Sequence, residues 1–251
     1  MIAALSTEAD KFFRSRVTLA TTVMQTLGIG ILLGSMLLAV QRADAQTIAK
    51  FGALANPGGW PGYLTSSSQV TAVAALLGFG VVLSWLFGRE FADGTITGLF
   101  ALPVGRGTLA LAKVGIFFAW AVIVSIGLVV ALVGLGFVFG LGALPMSAWP
   151  AIARQLIVTL LTALLALPAA WVATLGRGLL PGIGTTIGTV VLAQVAAIGG
   201  FGAWVPFAAP GLWAISGGLA VSPGQLMLVV PVSAAFITLT VLAWRRLQLD
   251  R

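Results

Sequence analysis

Six stretches of this 251-residue sequence, each 19 to 32 residues long, contain at most one charged residue apiece: Val17–Val40, Ser68–Phe87, Leu109–Gly140, Ile152–Leu175, Gly182–Gly200 and Gln225–Trp244. A helix rises 1.5 Å per residue, so about 20 apolar residues cross a hydrocarbon core of about 30 Å. Within a bilayer every backbone amide must be satisfied locally, which leaves helices or closed barrels. The stretches are evenly apolar and lack the period-two alternation of barrel strands. They predict an all-α integral membrane fold of six transmembrane helices, forming a single transmembrane domain over residues 1–251. The third stretch is long enough to tilt or to begin in the interface.

Composition agrees with this reading. The chain carries 13 Lys and Arg and 6 Asp and Glu, 19 charges in all, where a soluble domain of this length has about a quarter of its residues charged. It contains no His and no Cys. That removes His-based acid–base catalysis, thiol nucleophiles, disulfides and metal sites built on those ligands. No catalytic residue and no metal site is expected. A net charge of +7 could suggest nucleic acid, but the basic residues stand in short groups between apolar runs. That pattern is topological, and no nucleic-acid partner is expected.

Basic residues in short connections are retained on the cytoplasmic side. With the N-terminus inside, that side holds Lys11, Arg14, Arg16, Arg89, Arg106, Lys113, Arg177, Arg245, Arg246 and Arg251, against Arg42, Lys50 and Arg154 outside. Both termini are therefore expected in the cytoplasm, as in a multi-pass protein of the cell's inner (plasma) membrane. Ala43-Asp44-Ala45 after the first run resembles a signal-peptidase site. A signal core is about 7–15 residues, however, so an uncleaved first helix is expected.

Three connections carry information. Residues 1–16 read as an interfacial helix, with Thr7 and Asp10 at capping-box spacing and Phe12 and Phe13 facing lipid. Between the second and third runs, residues 88–108 place Arg89, Glu90 and Asp93 on one helical face and Phe87 and Phe91 on the other; Asp93-Gly94 then breaks the helix, Thr95 can cap a short second one, and Pro103 ends it. Such a two-step element exceeds what reconnecting two spans requires and suggests a docking surface. Residues 201–224 open with an apolar segment broken by Pro206 and Pro210, which fits a re-entrant pair of short helices at the outer side. The polar outer loop from Gln41 to Ser67, with Asn56-Pro57 and the Trp60/Tyr63 pair, suits the outer interface.

The spans hold no Asp, Glu or His, the groups on which ion-driven transporters rely. Lys113, Arg154 and Arg245 lie near span ends, where they can snorkel. Interior polarity consists of Gln25, Thr26, Ser84, Ser125, Thr159, Thr162 and Gln194. These bond between helices or line a solute path, for which Gln25, Thr26 and Gln194, with Trp204 and Trp213, are the candidates. Gly30/Gly34, Gly136/Gly140 and Gly184/Gly188 stand at GxxxG spacing; in so glycine-rich a chain this indicates close helix packing rather than a dimer motif. No lysine follows a glycine, so the phosphate-loop pattern is absent and ATP is expected on another polypeptide.

Gly88-Arg89-Glu90-Phe91, Gly94-Thr95 and Leu102-Pro103-Val104, followed by Arg106 and Lys113, together resemble the signature of ABC-2 type permeases, the membrane subunits of one group of ATP-binding cassette exporters. Gly105 stands where Ser or Thr is common. The resemblance implies a permease dimer, with a second permease that is identical or homologous, in the lipid bilayer above two copies of an ABC ATPase subunit. No cofactor is implied on this chain; ATP and Mg would sit on the ATPase. Gly88, Arg89, Glu90, Phe91, Asp93, Gly94, Thr95, Pro103, Arg106 and Lys113 would form the coupling element, and the cargo would resemble that of bacitracin or antibiotic exporters. The alternatives are a stand-alone secondary transporter or channel and a non-transporting scaffold or immunity subunit.

Overall fold

A computed structural model describes residues 2–42, 46, 49, 58–100 and 104–248. Pro103, Lys50, Arg251, Ala43-Asp44-Ala45 and Asn56-Pro57 lie outside the described residues. The described residues are helical, with no strand among them, and contain six helices long and apolar enough to cross a membrane. A first helix, α1 (Ile2–Phe13), precedes the spans. The first span is α2 (Arg16–Val23), a π turn (Met24–Gly28) and α3 (Ile29–Gln41). The second is α4 (Gly59–Ala92), followed by the short α5 (Ile96–Phe100), and the third is α6 (Arg106–Val138). The fourth is α7 (Trp149–Leu165) with α8 (Pro168–Leu175), and the fifth is α9 (Leu179–Ile198). After a 3₁₀ turn (Gly202–Trp204) come α10 (Ala209–Ile215), α11 (Pro223–Met227) and α12 (Val229–Arg246).

Proline sets several of these boundaries. Pro61, Pro150, Pro168, Pro181, Pro210, Pro223 and Pro231 all fall within the first three residues of their helices. There the missing N–H would have had no intrahelical acceptor. Pro168 lies inside the fourth run, and it divides that span into α7 and α8.

Two boundaries differ from the sequence expectation. The second span begins at Gly59 rather than Ser68, and Trp60 and Tyr63 in its first turns are buried within the protein. Trp60 Nε1 donates to the Gly142 carbonyl at 3.2 Å and Tyr63 Oη to that of Leu132 at 2.9 Å. Ser66, Ser67 and Ser68, on either side of the expected boundary, return their hydroxyls to their own helix or to Gln155, so they do not oppose helix formation. At its other end α4 runs on through Arg89 and Glu90 to Ala92, so the first step of the 88–108 element is the end of a span and not a loop. Thr7 lies inside α1 and does not cap it.

Helix α4 is the hub, packing against α7, α8, α9 and α10. One apolar cluster centres on Phe79, Leu83, Phe87, Phe117, Trp120 and Trp244, and a second on Leu33, Trp60, Tyr63, Leu128 and Leu132. Gly30 and Gly34 admit Leu135 and Phe139 of the third span, and Gly136 admits the Trp60 ring; an added Cβ would stand 2.9, 2.8 and 2.3 Å from these side chains. Close packing therefore holds at Gly30, Gly34 and Gly136, while Gly140, Gly184 and Gly188 meet nothing within 4 Å.

Candidate functional site

The two ends of α6 differ sharply. At its start, Arg106 donates to the Leu247 carbonyl and Lys113 bonds Glu8, so both ends of the described chain gather there, with Arg89, Arg177 and Arg245 nearby in the fold. This is the basic end of the bundle.

Lys113 is the centre of that end. It was expected to snorkel, yet its side chain is fully buried, and Nζ lies 2.5 Å from Glu8 Oε2 and 2.8 Å from Glu90 Oε1. Burying an ammonium is tolerable only when it is paired and hydrogen-bonded. Two carboxylates from different helices meet that condition here, each 2% exposed. The cluster continues outward. Arg89 approaches Glu90 at 3.5 Å and Glu8 at 3.8 Å, its guanidinium 4.4 Å from the Trp85 ring centroid. Lys11 reaches Glu8 at 3.3 Å from the exposed side of α1. Thr95 donates its hydroxyl to Glu90 Oε2 at 2.5 Å, so it serves the carboxylate and not the cap of α5. Two negative and three positive charges thus join α1, α4 and α6.

Apolar contacts fix the same junction. Phe12 of α1 is fully buried against Trp85 and Trp120, whereas Phe13 beside it is half exposed, which divides α1 into a docked and an outward face. Phe87, also fully buried, meets the Trp244 ring edge-on at 5.7 Å. The expected wheel, with charges on one face and phenylalanines on the other, is therefore replaced by a last turn of α4 that is covered on both sides. Gly88 has a packing role: a Cβ there would stand 2.6 Å from the backbone carbon of Gly178.

Just beyond the cluster the chain turns outward. Asp93 caps α4, and Gly94 follows at φ +67°, a left-handed conformation that glycine adopts without strain. Ala92 to Thr95, Thr97 and Gly98 are exposed, while Ile96 is buried and pins the turn to the core. Of the proposed coupling residues, the fold brings Arg89, Glu90, Thr95 and Lys113 into one cluster. Asp93 and Gly94 lie on the surface, Phe91 is half-buried, and Arg106 sits apart against the C-terminal segment.

The suggested solute-path residues do not form one path. Gln25 is buried in the π turn, its Nε2 3.2 Å from the Ala75 carbonyl and its side chain lodged against Gly78. Thr26 bonds its own helix. Trp204 is largely exposed, and Trp213 lies beside Gly218. Gln194 borders a cavity of about 110 Å³ between α4, α7 and α9 and roofed by α10, where Gln69 and Thr162 join it. Ser84, Ser125, Thr159 and Thr162 also bond carbonyls four residues back rather than another helix. Among the interhelical polar contacts that sequence reasoning missed is Gln155, which accepts from Ser67 and Ser68 and donates to Thr71. The Ser-Ser-Ser-Gln-Val-Thr stretch of α4 was its visible half.

The sequence model of a family described as ABC-2 family transporter protein matches residues 4–194, from α1 through most of α9 and so across the whole ion cluster. No curated protein matches the chain.

Proposed function

The chain belongs to the ABC-2 family of transporter proteins, and from that premise we propose that it is the permease of an exporter that moves a hydrophobic or amphipathic solute. As a membrane subunit of that family it is a transport protein that works with an ABC ATPase. In this reading two copies of the ATPase, carrying ATP and Mg, dock beneath the basic end, and a second permease completes the pathway. The basic end is cytoplasmic, following the distribution of Lys and Arg.

One observation carries the coupling assignment. The exposed turn from Asp93 to Gly98 is built directly onto the buried Glu8–Lys113–Glu90 cluster. A displacement of the turn is thereby passed to α1, α4 and α6 together, because separating any one of them breaks a buried ion pair. The cavity bordered by Gln69 and Gln194 has no charged lining residue, which suits a neutral solute with an apolar body.

The test uses a residue outside the cluster. Asp93→Arg reverses an exposed charge without touching the core. We expect it to reduce co-purification with the ATPase at least tenfold while membrane insertion and thermal midpoint stay unchanged. Full ATPase recovery with a folded D93R chain would overturn the docking assignment.

A further inference from the structure

At the basic end, residues of α8 and α12 and of the segments that follow them line an open cavity of about 470 Å³. Its walls are apolar: Leu175 of α8 and Leu239 and Leu242 of α12 line it while remaining 56%, 38% and 38% exposed. Its rim is basic, formed by Arg177 in the turn after α8, by Arg246 as the last residue of α12, and by the Gln248 carboxamide. Leu239 precedes Arg246 by seven residues, so the apolar wall runs about 10 Å from the rim along the helix. Among the described residues no Asp or Glu lines this cavity.

Basic residues at the end of a span have an ordinary explanation as topology determinants and helix-dipole partners. Two details separate this pair from that explanation. Arg245 and Arg246 are sequence neighbours and both exposed, yet Arg245 lies over Gly107, where an added Cβ would come within 2.7 Å of its Nε, while Arg246 borders the cavity. Arg177 is the one non-glycine residue at positive φ, +50°, among the described residues. It occupies the left-handed position closing α8, where the Gly178 amide bonds the Ala173 carbonyl, and glycines flank it on both sides. Glycine is the usual residue there, so this conformation fixes where the Arg177 side chain leaves the helix end.

We propose that this wedge binds an anionic glycerophospholipid of the adjoining leaflet, with the phosphate diester at Arg177 and Arg246 and the acyl chains along Leu175, Leu239 and Leu242. A guanidinium offers five N–H donors in a planar fork, enough to hold a phosphate alongside another acceptor. An apolar wall that begins at a basic rim matches a molecule whose charge and hydrocarbon are joined, and not a free anion. A zwitterionic lipid fits poorly, because its ammonium would share the rim with two guanidinium groups. The site is independent of the transport reading.

The experiment is native mass spectrometry of the purified chain in detergent with equimolar phosphatidylglycerol and phosphatidylcholine of matched acyl chains. Wild type is expected to retain one phosphatidylglycerol per chain in preference to phosphatidylcholine. Each of Arg177→Gln and Arg246→Gln should weaken retention about fivefold, and the double variant about twenty-five-fold, the scale of one basic residue at an anionic surface. Arg16→Gln, an exposed cation outside the cavity, should change nothing. Equal retention of the two lipids by wild type overturns the proposal, and that comparison needs no variant to fold. So does undiminished retention by a folded R177Q/R246Q chain, or displacement of the lipid by equimolar glycerol phosphate, which would mark a soluble phosphate site.

Discussion

Lys113, Glu8 and Glu90 decide what kind of evidence substitutions at the basic end can provide. The ammonium is fully buried between the two carboxylates, and removing one partner of a buried ion pair costs about 3–5 kcal/mol. Lys113→Ala should fall in that range, since it leaves two carboxylates in a desolvated site. Glu90→Gln should cost less, about 1–3 kcal/mol: the amide still fills the site, and Glu8 still neutralises Lys113. Thermal midpoints of the detergent-solubilised chain give the ordering, and an equal or larger loss for E90Q would contradict the cluster as described. For the same reason Glu90→Ala, an attractive coupling test on the sequence alone, would disturb folding together with coupling. Asp93 is the cleaner probe. The resemblance to the ABC-2 permease signature brought Arg89, Glu90 and Lys113 to attention together. It could not indicate that Glu8, over a hundred residues from Lys113, closes the cluster, because that contact exists only once α1 lies against α6.

At the scale of elements, contacts between helices decide which glycines matter. A Cβ added at Gly88 would stand 2.6 Å from backbone, a neighbour that cannot rotate away, whereas one at Gly184 would meet nothing within 4 Å. Gly88→Ala should therefore destabilise by about 1–3 kcal/mol through overpacking, and Gly184→Ala should be neutral or slightly stabilising because alanine is the better helix former. Unfolding midpoints of both variants, measured side by side, check this; a loss at Gly184 equal to that at Gly88 would contradict the packing. The sequence places Gly88 in a connection and Gly184 at GxxxG spacing within a span, and neither position discloses which of the two meets a neighbour's backbone. Helix starts were more legible, since proline at a first turn is a local property. The serine-rich opening of α4 was not, because three polar side chains look alike whether they face water or a buried Gln155. The π turn at Met24–Gly28 follows the same logic: its Gln25 is held by a carbonyl fifty residues away.

Over the whole molecule, α6 links two apolar clusters and orders the ends. Arg106 holds the Leu247 carbonyl and Lys113 holds α1, while Gln41 at the far end of the first span donates to the Phe139 carbonyl at the far end of α6. The chain has no Cys, so single cysteines can report sidedness without background. Cysteine at Asp93, Phe13 or Gln248 should share one labelling side for a membrane-impermeant maleimide, and cysteine at Arg42 or Met146 the other. Any exchange of membership between the two groups would refute the arrangement of spans.

Six spans, the helical class and the candidate docking element followed from sequence, because hydrocarbon imposes one requirement on every residue of a span and proline and glycine act through their own backbone. Which charges are buried, which aromatic residues join the core, and which glycines are pressed against a neighbour depended on tertiary structure. Each of these is settled by a partner far away in sequence, and only the folded bundle brings the two together.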